Sequence, residues 1–91
     1  MKLLYCPKCH DVFRLFSFPK SCECHHSWGY YKGTGSLIEI SAGAIPIGIS
    51  DIGLHKALEE RPDDGLGAVF EAYVIPRDCK NVEEQGHETR N

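Results

Sequence analysis

Four cysteines near the beginning of the chain have the spacing of ligands for a single metal ion. They lie in the segments 6–9 (CPKC) and 22–24 (CEC), which gives the pattern Cys-x2-Cys-x12-Cys-x-Cys. Two thiolates from each of two tight turns form the tetrahedral sulfur set that Zn²⁺ prefers, and four protein ligands leave no position for water. The sequence therefore predicts a closed, structural Zn²⁺ site whose ligands are Cys6, Cys9, Cys22 and Cys24.

The second cysteine pair keeps other ligand sets open, because it has one intervening residue where the first pair has two. His10, His25 and His26 lie beside the cysteines, and any of them could replace a sulfur that misses the site. A catalytic zinc ion would need an open position and a nearby base such as Glu23. An iron site of the rubredoxin type would use the same four sulfurs. No His-x-Glu or His-Glu-x-x-His pattern accompanies the cysteines, so we expect no catalytic site and no enzymatic activity.

The fifth cysteine and the start of the chain bear on the cellular compartment. Cys79 lies between Arg77 and Lys80, which favour a thiolate, but Asp78 opposes that effect and no base is evident, so we expect an incidental free thiol. After Lys2 the apolar stretch is only LLY, far shorter than a secretory signal, and no run approaches the length of a membrane span. We therefore expect a cytoplasmic protein without membrane association, in which paired cysteines bind metal rather than form disulfides.

The elements that must position the cysteines are short strands. Residues 3–5, 12–18, 29–32 and 36–41 are rich in apolar, aromatic or β-branched side chains and are bounded by turn residues. Residues 43–49 place alternate isoleucines on one face, but Pro46 cannot donate to a strand ladder, so an edge strand or extended loop is predicted there. The mostly apolar residues 68–75 predict a last strand at the centre of a sheet.

One helix and a polar tail complete the prediction. Ser50 and Asp51 are candidate N-caps for a helix over residues 52–60, which Pro62 terminates. The sequence thus predicts an α+β fold in a single zinc-stapled domain, residues 1–79. Within it, a zinc-ribbon-like β-hairpin (1–35) is joined to a small antiparallel sheet with one short helix (36–79). Residues 80–91 contain one apolar residue, and we expect them to form a disordered polar tail.

The charge of the chain is distributed unevenly. The net charge is −3, yet residues 1–35 have five basic and two acidic residues, whereas residues 36–91 have five basic and eleven acidic ones. Seven of the nine aromatic residues also lie in the first part. A basic, aromatic module can stack bases and bind phosphates, but the excess of basic residues is small for a nucleic-acid-binding protein.

Four segments resemble those of a family of short, uncharacterised bacterial proteins with zinc-ribbon-like sequences. They are KLLYCPKC (2–9), KSCEC (20–24), AIPIG (44–48) and FEAYVIP (70–76), and the similarity extends over residues 2–79. The resemblance implies a single domain and supports the Cys-x-Cys pair as part of the site. It implies no activity.

These observations favour a non-enzymatic interaction or regulatory module that uses its zinc site to present a surface to another protein. One alternative is a small-ligand binder or sponge of the nucleotide-binding kind, phage- or defence-related, in which the segment from Gly43 to Asp51 contributes backbone amides to a pocket. The other alternative is nucleic-acid binding through the basic, aromatic N-terminal module.

Overall fold

Eight strands and one helix make up the part of the chain that the computed structural model describes, residues 1–86. In chain order they are β1 (Lys2–Tyr5), β2 (Val12–Arg14), β3 (Lys20–Ser21), β4 (Trp28–Tyr31), β5 (Ile38–Ile40), β6 (Ile45–Ile49), α1 (Asp51–Glu59), β7 (Ala72–Val74) and β8 (Val82–Glu84). Sheet A has the order β2-β1-β6-β7, and sheet B has the order β3-β4-β5-β8. The α+β class with one short helix is confirmed.

Each sheet combines a hairpin from the first third of the chain with strands from the rest. The β1–β2 hairpin pairs with β6 through β1, and the β3–β4 hairpin pairs with β5 through β4. The zinc-ribbon-like N-terminal part, with its four close cysteines, is therefore joined to the rest of the chain through both sheets. All pairs are antiparallel except β5 with β8, which are parallel. The buried core contains Leu4, Phe13, Leu15, Ile38, Ile40, Ala44, Ile75 and Val82 together with Cys6 and Cys22.

Helix α1 begins at Asp51, one residue before the predicted start, and its N-cap is one of the two predicted candidates. The Ser50 hydroxyl accepts a hydrogen bond of 3.1 Å from the Gly53 N–H, so Ser50 is the N-cap. Asp51, the other candidate, lies in the first turn and pairs with the N-terminal ammonium group at 2.9 Å. The helix buries none of its side chains, and Leu58 is exposed. It therefore projects from the two sheets rather than packing into their core.

Strand β6 lies at the centre of sheet A, so the predicted edge strand or loop at residues 43–49 is wrong. It is hydrogen-bonded to β1 on one side and to β7 on the other. The carbonyl of Pro46 accepts a hydrogen bond from the Ile75 N–H at 2.9 Å. The nitrogen and the carbonyl of a residue in an antiparallel strand point to the same neighbouring strand, so the Pro46 nitrogen also faces Ile75, which directly follows β7. The sheet tolerates Pro46 because the missing donor falls at the end of the short β7 ladder.

The predicted boundaries of several strands also need correction. The predicted strand 12–18 ends at Arg14, and a further two-residue strand, β3, which the sequence did not predict, begins at Lys20. Only residues 72–74 of the predicted central strand 68–75 form a strand, β7. Strand β7 is exposed and lies at the edge of sheet A, because it pairs with β6 alone.

The predicted disordered tail, 80–91, contains strand β8. Val82 is buried, and β8 pairs with β5. Burial of Val82 and pairing with β5 thus attach this polar segment to the core. The rest of the predicted tail, residues 87–91, lies outside the described residues.

Candidate metal centre

The turns of the two N-terminal hairpins meet and bring the four cysteines together. The chain enters the first turn from β1 and leaves it in β2, and it enters the second from β3 and leaves it in β4. The four sulfur atoms all lie within 4.8 Å of one another, and Cys24 Sγ is 3.9 Å from Cys6 Sγ and 3.5 Å from Cys22 Sγ. Zinc–sulfur bonds of about 2.3 Å in a tetrahedron place sulfur atoms about 3.8 Å apart. The cluster therefore has the size of a four-thiolate metal site.

The two turns have the same backbone design in spite of their different cysteine spacing. His10 and His25, each following the second cysteine of a pair, have positive φ angles of 64° and 63°. The His10 N–H donates to the Cys6 carbonyl at 2.8 Å, and the His25 N–H donates to the Cys22 carbonyl at 3.0 Å. The second turn is simply closed one residue earlier. This accounts for the Cys-x-Cys pair and gives both histidines a backbone role.

The histidines do not belong to the cluster of potential ligand atoms. Among residues 1–86, the group of side chains close enough to hold one ion consists of the four cysteines, and His10, His25 and His26 are not part of it. The Glu23 carboxylate is not part of it either; instead, the Glu23 N–H donates to Asp11 Oδ2 at 3.1 Å and links the two turns.

Backbone donors surround the two buried sulfurs. The Cys9 N–H donates to Cys6 Sγ at 3.5 Å, and the Ser27 N–H donates to Cys22 Sγ at 3.3 Å. Such N–H groups orient thiolates and disperse their negative charge, as outer-shell partners do in metal sites. Both sulfurs that receive these bonds belong to fully buried cysteines, whereas Cys24 is exposed.

The hydroxyl of Ser27 is a further feature of the site. Ser27 is completely buried, and no nitrogen or oxygen of the described residues lies in hydrogen-bonding geometry with its Oγ. A buried hydroxyl without a partner costs about 1–3 kcal/mol. The Ser27 hydroxyl is nevertheless close enough to Cys6 to favour the thiolate and to lower the Cys6 pKa. The position of Ser27 thus fits a site that holds charged sulfurs around a metal ion.

The cluster divides its charge unevenly. Burial favours the neutral thiol of Cys6, but hydrogen bonds from the Ser27 hydroxyl and the Cys9 N–H outweigh burial and lower the Cys6 pKa to about 5. At Cys24 the N–H of His26 favours the thiolate, but partial desolvation of the sulfur by the surrounding cluster and hydrogen bonding among the neighbouring sulfurs outweigh it and raise the pKa to about 12. A proton on Cys24 therefore has to leave before all four sulfurs can bind a cation.

Sequence reasoning missed Asp11 and Ser27, although their spacing carries a signal. Each lies five residues after the first cysteine of a pair, and its carbonyl accepts a 2.9 Å hydrogen bond from the N–H of that cysteine. The equal spacing of Cys6 to Asp11 and of Cys22 to Ser27 marks two equivalent closed turns. The side chains of these two residues have different roles. The Asp11 carboxylate links the two turns, and the Ser27 hydroxyl acts on the Cys6 sulfur.

Cys79 lies outside the cluster. It is partly buried against the core, and its carbonyl accepts a hydrogen bond from the Val82 N–H at 3.1 Å. It therefore packs at the junction that leads into β8 and adds no ligand to the four sulfurs.

Comparison with known proteins supplies no template for this site. No family model, no curated protein and no solved structure matches the chain. Among the described residues, no helix has the length and apolar character needed to cross a membrane.

Replacing His25 by glycine is expected to leave metal binding intact. A left-handed conformation costs an L-residue roughly 1–2 kcal/mol, and glycine adopts it freely, so the shorter turn should keep its shape. Zinc content of purified His25→Gly protein is the measurement, with His26→Gly as the control outside the positive-φ position. Loss of the metal in His25→Gly alone would show that the His25 ring, and not its backbone, is needed.

Proposed function

We propose that this chain is a non-enzymatic protein-contact module of the cytoplasm, in which a structural Zn²⁺ ion bound by the four cysteines joins two small sheets. The observation that carries the proposal is the position of the four sulfurs. They lie where a hairpin turn of sheet A meets a hairpin turn of sheet B, within 4.8 Å of one another. An ion bound there would connect the two sheets covalently through their turns.

The size of the core explains why such a connection matters. Ten buried residues form the core cluster, and two of them are cysteines of the site. Small cores rarely supply more than about 3–5 kcal/mol of net stability. A structural zinc ion contributes about 10–16 kcal/mol of apparent binding free energy in zinc-finger peptides. We infer that metal binding, rather than apolar burial, decides whether this chain is folded.

A closed site supports a contact function rather than catalysis. Four protein sulfurs complete the tetrahedron, so no position is left for a water molecule or a substrate. The described surface also has large exposed apolar side chains along α1 and the segment that follows it. Leu66 is 98% exposed and Val69 is 97% exposed. Side chains of this kind are typical of surfaces that bind other proteins.

A second candidate, small-ligand binding, is supported by a cleft between α1 and the segment that precedes β7. The cleft has a volume of about 430 Å³, within the range of ligand sites, and is lined on one side by Ser50 and Lys56 and on the other by Val69 and Phe70. The segment from Gly43 to Asp51, which the sequence suggested as a cradle, instead runs through β6 into α1.

A third candidate, nucleic-acid binding, is supported by one basic aromatic patch. Phe16 and Phe18 stack with ring centroids 5.2 Å apart, and Arg14 and Lys20 lie 5.6 Å and 5.1 Å from the Phe16 centroid. The patch combines a stacking platform with positive charge, although both cations already contact the same ring.

Native mass spectrometry of the full chain, purified without chelator, separates these candidates. We expect one zinc ion per polypeptide chain, with zinc lost on acidification and no bound small molecule or nucleic acid. An additional small mass that is lost on denaturation would identify a ligand binder, and copurified nucleic acid would favour the basic patch. Protein without metal would overturn the proposal.

A further inference from the structure

The outer face of sheet A is apolar, and its side chains are exposed or only partly buried within the described part of the chain. Leu4 and Pro46 point from β1 and β6 towards the core, so the neighbours of each along its strand point to the opposite face. An antiparallel sheet with one face in water normally has polar residues on that face. Here eight of the nine outer side chains are apolar or aromatic, including the three isoleucines of β6 and Val74 of β7, and the ninth is Arg14.

Next to this face lies a projecting arm, residues 50–71, which comprises α1 and the extended segment up to β7. Every residue from Leu58 to Val74 is exposed. The arm therefore contributes almost nothing to the core, and its large apolar side chains contact water in a single copy of the chain.

We infer that the outer face of sheet A, together with the arm, binds a second copy of this chain and forms a symmetric dimer. The inference rests on the contact-module proposal, of which it names one partner. An apolar face is its own complement in a two-fold interface, where the same surface is contributed by both copies.

The size of the surface fits this occupant when the arm is included. Four strands about 4.8 Å apart and about four residues long cover roughly 250 Å², which is a third of the roughly 800 Å² that each partner buries in a standard interface. The face and the arm together span the residues from 50 to 74 and parts of three further strands. A standard interface uses about 20–30 residues on each side.

Charge complementarity favours a second copy over an unrelated protein. The arm has six acidic and two basic residues, whereas residues 1–35 have five basic and two acidic ones. Arg14 lies on the outer face at the β2 edge, and the arm leads into the β7 edge at the other side of the sheet. A two-fold axis parallel to the strands places β7 of one copy over β2 of the other, and thus the acidic arm near Arg14. A four-thiolate zinc site would reduce the positive charge of the N-terminal part, but it lies at the opposite end of β2 from Arg14.

The test is the mass of the full, zinc-loaded chain in solution, measured by sedimentation equilibrium. We expect twice the 10.2 kDa of one chain, and we expect Val74→Lys to raise the dissociation constant by at least about tenfold. Val74 is 67% exposed, so the substitution leaves the core unchanged. Tyr73→Lys is the matched control, because Tyr73 is also 59% exposed but pairs with Gly48 on the face of β7 opposite to that of Val74; it should remain dimeric.

Two results would overturn the dimer. One is a wild-type chain that stays monomeric up to about 100 µM, a concentration far above the dissociation constants of specific complexes. The other is a Val74→Lys protein that dimerises as tightly as the wild type. Zinc content and circular dichroism, recorded on the same samples, distinguish this failure from failure of the proposed function. A folded, zinc-loaded monomer contradicts only the dimer, whereas a protein without zinc contradicts the proposed function whatever its mass.

Discussion

Replacing Cys22 by alanine is expected to abolish zinc retention and to remove the cooperative unfolding transition of the chain. The Cys22 sulfur is buried, receives the Ser27 N–H and lies 3.5 Å from Cys24 Sγ, so no water molecule can take its place without opening the second turn. A binding free energy of about 10–16 kcal/mol would be largely lost. Small domains have a total stability of about 5–15 kcal/mol, which is too little to absorb that loss. Metal analysis and thermal unfolding, followed by near-ultraviolet circular dichroism, are the measurements.

Cys79→Ala is the matched control, because Cys79 is also partly buried but lies outside the cluster. It should retain one zinc ion and lose about 1 kcal/mol, which lowers the melting temperature of a domain of this size by about 4–8 °C. Removal of zinc from the wild-type chain with a chelator should reproduce the effect of Cys22→Ala, and added zinc should reverse it. A Cys22→Ala protein with wild-type melting and zinc content would show that the cluster is not the metal site.

Acid should also release the metal, and the pKa values of the cluster give the direction. The folded state lowers the Cys6 pKa to about 5 from its ordinary 9.0. The Cys6 thiolate therefore stabilises the metal-free fold fully above pH 9, and this contribution is lost as the pH falls through about 5. At neutral pH Cys24, with its pKa raised to about 12, still holds a proton that zinc must displace. Titration calorimetry in buffers of different ionisation enthalpy should detect proton release on zinc binding.

The site was more predictable from the sequence than the fold around it. Thiolate spacing is a local property, and the segments 6–9 and 22–24 indicate two turns whatever the rest of the chain does. The sequence did not show that both turns place a histidine with a positive φ angle directly after the second cysteine, at 64° for His10 and 63° for His25. A left-handed conformation is uncommon for residues other than glycine, although it is enriched for histidine relative to most side chains. The role of Ser27 depends on burial, which no local pattern indicates.

The incorrect strand predictions share one cause. The position of a strand within a sheet depends on partners that are distant in the sequence. Pro46 argues for an edge, but its nitrogen points to the end of the short β7, so the centre of sheet A accepts it. Residues 68–75 are apolar enough for a buried strand, yet β7 is exposed at the sheet edge. Apolar composition there reflects a surface that the isolated chain leaves uncovered. Sequence periodicity cannot distinguish this from a buried core.

Ending the chain after residue 79, where the sequence places the domain boundary, is expected to destabilise it severely. This truncation removes β8, whose Val82 is buried opposite Ile38 in the parallel pair with β5. Burial of one valine side chain contributes about 1.5–3 kcal/mol. The truncation also removes Glu83, which pairs with Lys32 at 2.8 Å, and Glu84, which accepts the Gly43 N–H at 3.1 Å. We expect the zinc-loaded truncated chain to lose at least about 3 kcal/mol of unfolding free energy, measured by urea denaturation.

A chain that ends after residue 86 is the control, because it keeps β8 and every contact described for it. It should unfold at the same urea concentration as the full chain, whereas Val82→Asp in the full chain should reproduce most of the effect of the shorter truncation. Burial of an unpaired carboxylate at Val82 would force apart the β5–β8 pair and expose Ile38 and Ile40 in the core. If the chain that ends after residue 79 is as stable as the full chain, the segment after Cys79 behaves as the dispensable polar tail that its composition suggests. If it is not, and Val82→Asp has a similar effect, the buried valine and its pairing with β5 make this segment the closing strand of sheet B.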